Sequence, residues 1–324
     1  MHIQTIISYR RLTSWPSFDL IKEWEDVLSK ELNIHIKNES LLFYNSILNK
    51  HPSIYKIINT HKNALVFEIS DYRCSLKNNF KNIIPCIVDF YAKDDKTLCD
   101  IYQQYNRNPI VLISSKEAYE FLKQKECPLN IAHLPLSISD IYRITPATRF
   151  DKKYDLVIAG RNNPVLTDFV VRYAQKHQYF RYVYRKTEGN KFYYYTSDGE
   201  KIGDINTREQ YINLLRASRM GIYATPGIDG GENRTNGFNQ VTPRFFELIC
   251  SGCHILARYP KNADTEYFQV DRICPSIETY EQFESLVDKY RDIECDMLLY
   301  SNYIMQHYTS QRASMLSNIL DNIE

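Results

Sequence analysis

Hydrophobic positions along the chain follow two alternating patterns. One repeats at three and four residues, as in Phe18, Ile21, Trp24, Val27 and Leu28, which share one face of a helix expected over 17–32. The other is continuous over a few residues. The apolar runs at 64–69, 83–90, 109–115 and 131–136 read as strands covered on both faces, the second broken by Pro85. Helical spacing returns at 96–105 and 116–123, and short helices are expected over 41–48 and 53–58. A polar stretch at 137–153, holding Pro146, Thr148 and Arg149, interrupts the alternation. It then restarts. A strand over 154–161 ends in Gly160-Arg161, followed by a helix over 164–177, a strand over 181–184 and a hairpin over 191–205 that turns at Asp198-Gly199. A helix over 207–218, a strand over 220–224 and a long Gly- and Asn-rich loop over 225–240 come next. A strand at 254–258 follows, and helices over 278–290, 295–307 and 310–323 end the chain.

This order predicts an α/β protein of two doubly wound domains. The expected boundaries are 1–140 for the first domain, 141–153 for a linker and 154–305 for the second. A last helix, 306–324, is expected to pack back on the first domain. The 324 residues suit two domains.

Composition narrows the chemistry. A net charge of +1 gives no field that would draw the chain onto nucleic acid. The eight cysteines are scattered through apolar runs and read as reduced, buried thiols, and the lone Cys250/Cys253 pair has no partner pair at zinc spacing. No apolar run is long enough to span a bilayer, and residues 1–11 lack the core of a secretory signal, so a cytoplasmic protein is expected. The 26 tyrosines are read as the bias of an AT-rich genome rather than as a sugar-stacking surface.

The most informative stretch is 236–256, a polar loop, a short helix and a Gly turn into a buried strand. Thr242 suits the N-cap, with its hydroxyl accepting a first-turn amide; Pro243 suits the first helical position, and Gly252 a left-handed stop. Phe245, Leu248 and Ile249 form an apolar stripe, leaving Arg244 and Glu247 one turn apart. Loop amides, the helix N-terminus and Arg244 favour an anion. Glu247 can accept two hydrogen bonds from a vicinal diol. Phosphate and ribose together are what a nucleotide offers.

Arg244-Phe245-Phe246-Glu247 followed by Gly252 matches an Arg-x-Phe-Glu-x4-Gly pattern. With it the chain resembles the group-1 glycosyltransferases of the GT-B fold, closest to the CgeB-like spore-maturation branch. His133-Leu134-Pro135-Leu136, the strand ending in Gly160-Arg161, residues 211–223 and the acidic segment 263–268 agree in order. The resemblance covers residue 131 onwards. It implies two Rossmann-like domains facing across a cleft, the last helices crossing back to the first. It also implies transfer of a sugar from a nucleotide-sugar donor to a hydroxyl of a saccharide or lipid-linked saccharide acceptor, in bacterial surface polysaccharide synthesis. Transient contact with the inner membrane would follow from a lipid-linked acceptor, although no basic amphipathic helix stands out.

On this reading Glu247 holds the ribose and Arg244 neutralises the diphosphate. Asn236, Gly237, Phe238, Asn239 and Gln240 face phosphate and sugar, and Gly230-Gly231 hinges their loop. Gly160 marks a close backbone approach, Arg161 reaches phosphate, Thr242 caps the site helix, and Tyr223 ends a strand at the base pocket, where its ring would stack. Retaining relatives often carry a second Glu eight residues before the first, where this chain has Asn239. Asn239 binds hydroxyls but carries no charge to set against an oxocarbenium ion. Retention is favoured, with inversion left open. An inverting enzyme needs a general base; Asp71, Asp89 and His133 lie nearest strand ends in the first domain, and Asp89 is the preferred one. No Asp-x-Asp occurs in a strand-end setting, so no metal and no cofactor is expected. Two alternatives remain beside the transferase: a nucleotide-sugar epimerase of the same fold, and a nucleotide-sugar-binding protein without turnover.

Overall fold

Two six-stranded sheets organise the chain. The computed structural model describes residues 1–10, 16–38, 63–69, 79–188 and 191–323. The helices expected at 41–48 and 53–58, and Asp71, lie outside the described residues. The chain divides into two compact units, one of Met1–Ile141, Arg234–Phe238 and His307–Glu324, the other of Tyr142–Asn233 and Asn239–Gln306.

The first unit holds β1 (Thr5–Ser8), α1 (Pro16–Glu31), β2 (His35–Asn38), β3 (Ala64–Glu68), β4 (Ile83–Ile87), α2 (Asp95–Tyr105), β5 (Val111–Ile113), α3 (Lys116–Gln124) and β6 (Ile131–His133). All six strands are parallel, in the order β2-β1-β3-β4-β5-β6. β4 and β5, and β3 up to its last residue Glu68, are apolar and buried, as parallel strands covered on both faces are. Pro85 does not break β4. Its neighbour β5 begins to pair only at Cys86, so the imide removes no donor from that ladder. Strands β1 and β2 are too short to show a pattern in the sequence. Ser115 ends β5 and opens α3, its hydroxyl accepting from the Ala118 amide.

The second unit runs β7 (Tyr154–Ile158), α4 (Pro164–Lys176), β8 (Tyr182–Glu188), β9 (Lys191–Thr196), β10 (Lys201–Asp204), α5 (Arg208–Arg216), β11 (Ser218–Ala224), α6 (Pro243–Cys250), β12 (His254–Arg258), α7 (Ala263–Tyr267), α8 (Tyr280–Arg291) and α9 (Met297–Ile304). Its sheet order is β10-β9-β8-β7-β11-β12. The strands β8, β9 and β10 are antiparallel, so the expected hairpin joins the main sheet as its edge. A core of Leu156, Ile158, Leu166, Phe169, Phe283 and Val287 lies between the sheet and helices α4 and α8. The chain leaves β7 in one direction, towards β8, and returns on its other side at β11. Ligands of open α/β sheets gather at such a reversal, beyond the carboxyl ends of the strands.

Two later segments complete the first unit. In α10 (Thr309–Asp321), Arg312 is buried and donates to the carbonyls of Pro135 (3.0 Å) and Leu136 (3.0 Å) and to His307 Nδ1 (3.2 Å). Segment 234–238 is the other, and Phe238 enters the aromatic core there.

Candidate functional site

Beyond the carboxyl end of β7 the chain turns through Gly160, at φ 72°. Opposite stands α6. Every residue from Phe245 to Cys250 is buried, so the helix is sunk in the unit rather than lying along it with one stripe inward. Gly221 of β11 gives Leu248 its space: a Cβ there would lie 2.3 Å from a Leu248 methyl. Gly252, at φ 59°, stops α6, and the Cys253 amide bonds back to the Leu248 carbonyl at 3.0 Å.

Arg244, in the first turn of α6, points at Gly160. A Cβ on Gly160 would fall 1.7 Å from Arg244 Nη2 and 2.5 Å from Cζ, so only glycine admits the guanidinium. Nη1 donates to the Arg161 carbonyl at 3.2 Å. Nε is buried and has no hydrogen-bond partner. Burial works against the charge on Arg244, and the oxygens of Tyr211 and Glu247 more than offset it, so the guanidinium stays cationic. Burial pushes the Tyr211 and Tyr194 phenols up, against the pull of Arg244, which keeps both protonated. Tyr194 lies on β9 and is buried.

Glu247 lies one turn further in and is 5% exposed. Its cation is Arg208, not Arg244: Arg208 Nη1 reaches Glu247 Oε1 at 2.5 Å. Thr242 occupies the N-cap with extended backbone, but its hydroxyl makes no capping bond, contrary to expectation. The first-turn amides of α6 therefore have no side-chain cap. The Thr242 amide instead donates to Tyr223 Oη at 3.2 Å.

That bond corrects the reading of Tyr223 as a base-stacking residue. Its ring is 1% exposed and packs on Phe245 at 5.3 Å, so it holds the start of α6 from inside the core. Asn239 is fixed as well, its side-chain oxygen accepting from Thr225 (2.9 Å) and its carbonyl from Asn262 (3.0 Å). Gln240 is buried. Arg161 pairs with Glu232 at 2.6 Å. The expected hinge at Gly230-Gly231 is clamped at its neighbour Asp229, which takes hydrogen bonds from Arg258 (2.6 Å) and Asn163 (2.8 Å).

The structure therefore brings together Gly160, Arg161, Arg244 and Glu247 in the second unit, with Asn239, Gln240 and Thr242 on the chain leading into α6. Asn236, Gly237 and Phe238 fall in the first unit. Phe238 is 2% exposed and meets Phe121 (5.4 Å) and Phe90 (6.5 Å) edge-on, so it is a core residue and not a sugar contact. Asn236 Nδ2 donates to the Tyr91 carbonyl at 2.7 Å, and Gly237 lies beside Lys93. Asp89 sits just past β4, also in the first unit. In the same unit, Ser114 O accepts from His133 Nε2 at 3.3 Å; burial lowers this imidazole to about 4, so it is neutral at pH 7. Three residues of the Arg244 cluster were not anticipated: Tyr194, Arg208 and Tyr211. Arg208-x-x-Tyr211 in the first turn of a helix has the spacing of Arg244-x-x-Glu247, and that was the signal available.

No protein-family model matches the chain. No curated protein matches it by sequence. Solved structures do match it in three dimensions. Sucrose-phosphate synthase from Thermosynechococcus elongatus aligns with a TM-score of 0.61 at 8% identity, over 99% of this chain and 98% of that one. A glycosyltransferase involved in avilamycin A biosynthesis aligns with a TM-score of 0.57 at 11% identity, over 98% and 97%. The fold is GT-B. UDP-GlcNAc 2-epimerase from Methanocaldococcus jannaschii shares it, with a TM-score of 0.51 at 9% identity over 99% of both chains. In the GT-B fold of this chain, the Arg244 cluster lies at the strand reversal of the second unit.

Proposed function

We propose that the protein is a glycosyltransferase that binds a nucleotide-sugar donor at the Arg244–Glu247 helix and passes the sugar to an acceptor hydroxyl. One observation carries the reading: a half-buried guanidinium seated on a glycine, its buried Nε without an acceptor among the described residues, at the mouth of a helix with no side-chain cap. A buried donor left unmatched costs free energy, and an anion placed there satisfies the donor and meets the positive end of the helix dipole.

The chemistry follows from where charge develops. When the glycosidic bond to phosphate breaks, the bonding electrons leave with the diphosphate. Arg244 and the α6 amides stabilise that charge without a metal ion, as fixed cations and dipoles in a dry site do well. Glu247 accepts from the ribose hydroxyls. Asn239 is the polar contact for the sugar hydroxyls, and retention of configuration is favoured. Should inversion operate, Asp89 takes the acceptor proton. The acceptor is a saccharide or lipid-linked saccharide of a bacterial surface polymer, met in the cytoplasm or at the membrane face.

Calorimetry with a panel of nucleoside diphosphates tests the reading. Wild type should bind one of them, Arg244→Ala should weaken that binding about tenfold or more, and Glu247→Ala should weaken it comparably. Wild-type binding by both variants would remove the assignment.

The fold likeness to a UDP-GlcNAc 2-epimerase supports a second reading, epimerisation of the donor sugar. Incubation of donor alone separates the two: an epimer accumulates without acceptor only if the second reading holds. Donor binding with neither epimer nor transfer would mark a binding protein.

A further inference from the structure

The first unit carries a cavity at the end of its sheet opposite Asp89. Asp89 sits past the carboxyl end of β4. The cavity opens at the amino ends of β5 and β6, where residues 106–110 lead into one strand and 125–130 into the other. Its volume is about 310 Å³, at the lower end of the roughly 300–1,000 Å³ in which small molecules bind.

The chemistry of its walls is uniform. Among the described residues seven line it, and none carries a charge. Four are amides: Gln103 and Asn106 at the end of α2, Asn108 in the turn beyond, and Asn130 before β6. Three of these are fixed in orientation. Asn106 Oδ1 accepts from Asn79 Nδ2 at 3.1 Å, and Asn79 Oδ1 accepts the Arg107 amide at 2.9 Å. Asn108 Nδ2 donates to the Ile83 carbonyl at 2.8 Å, and Asn130 Nδ2 to the Pro109 carbonyl at 2.9 Å. Tyr102, Pro128 and Leu129 form the rest of the wall, Tyr102 and Leu129 being packed against the aromatic core of the unit. Tyr102 Oη is buried with no hydrogen-bond partner among the described residues.

We propose that this cavity is a binding site for a neutral mono- or disaccharide unit, separate from the donor site. A charged ligand would lose its water there without meeting an opposite charge. An apolar ligand would strip water from four amides and return nothing. Sugar hydroxyls donate and accept as amides do, so each can be matched on these walls. The C–H faces of a sugar ring suit the ring of Tyr102 and the side chains of Pro128 and Leu129. An unmatched buried hydroxyl costs free energy, and a hydroxyl-rich ligand entering beside Tyr102 relieves it. Amides held before binding lose little freedom when the ligand arrives. In the transferase proposed above, the site holds a part of a polymeric acceptor that is not reacting and raises its effective concentration. Saccharide binding itself does not depend on that reading.

Saturation-transfer NMR titrations on the full chain test the site. The probes are glucose, galactose, mannose, N-acetylglucosamine, maltose, cellobiose and lactose, with glucuronate and glucose 6-phosphate as charged controls. Wild type should bind at least one neutral sugar several-fold more tightly than either control. Gln103→Ala and Tyr102→Phe should each weaken that binding several-fold. Arg244→Ala should bind the sugar as wild type does, even where it has lost nucleoside diphosphate. Tyr102→Phe should melt at or above wild type, since it removes an unmatched hydroxyl, so its weaker binding would not reflect a damaged fold. A lower melting temperature would mean that the hydroxyl is already satisfied and would overturn its part. Binding unchanged in both cavity variants overturns the site, as does sugar binding lost in Arg244→Ala. So does a wild type that binds none of the neutral sugars, or binds the charged controls as tightly. Neutral sugar binding by a protein that takes no nucleotide would leave this site standing and remove only the donor assignment.

Discussion

The Arg244 guanidinium rests on the Cα of Gly160, so closely that a single added methyl would stand 1.7 Å from Nη2. A side chain at Gly160 would have to displace the guanidinium. Gly160→Ala should therefore move the guanidinium and weaken nucleoside diphosphate binding about tenfold, as seen by calorimetry. The left-handed backbone at Gly160 adds about 1 kcal/mol of strain to an alanine, which a melting curve would register.

Phe238 gives the opposite outcome to the one its loop position suggests. Phe238→Ala should destabilise the protein by about 3–5 kcal/mol, because it leaves a cavity among Phe90, Phe121 and their neighbours. Chemical denaturation followed by tyrosine and tryptophan fluorescence measures the loss. Little loss would mean that the side chain is not a core residue in solution.

Acid should weaken the fold well above the carboxylate range. Burial lowers His133 from 6.5 to about 4 and His307 to about 3, and lowers His254 as well. All three are neutral when folded and take up a proton when unfolded below pH 6.5. The unfolded state thus binds more protons, and stability falls as pH drops from about 6.5 towards 4. His133 and His307 each contribute on the order of 2 kcal/mol at pH 5. Denaturant midpoints at pH 7, 6 and 5 would follow the loss. Replacing His133 with Gln should flatten the profile.

Asn163 serves two elements at once. Its side-chain oxygen caps α4 through the Leu166 amide (2.9 Å), and its amide nitrogen binds Asp229 (2.8 Å). Asn163→Ala should cost about 1–2 kcal/mol for the cap and loosen the turn at Asp229. Hydrogen exchange would report faster exchange at 228–231 alongside the lower melting temperature. Melting unchanged from wild type would contradict the cap.

Much of the fold was legible because its strongest signals are local. The apolar runs of β4, β5, β7, β11 and β12 mark strands whatever lies around them, and Gly252 marks the end of α6. Two doubly wound α/β domains follow from their order, and the GT-B fold follows from the resemblance carried by residues 244–252. Strands β1 and β2 were missed, four residues each being too few for a pattern. At the candidate site, Arg244, Glu247 and Gly160 were visible through their spacing. Their partners Arg208, Tyr194 and Tyr211 were not, since nothing in sequence says that α5 crosses α6 at that turn. Phe238 and Tyr223 were misread for one reason: an aromatic residue in or beside a polar loop looks exposed until the core that receives it is seen.

Neither unit is an uninterrupted stretch of chain. A cut after Ile141 would yield an amino-terminal fragment lacking Phe238 from its aromatic core and Arg312 from behind the Pro135 and Leu136 carbonyls. Its last pieces are translated only after the other unit has almost wholly emerged from the ribosome. Maturation of the amino-terminal half must wait for the far end of the polypeptide, so halves made separately should come out as sticky, incomplete species until mixed.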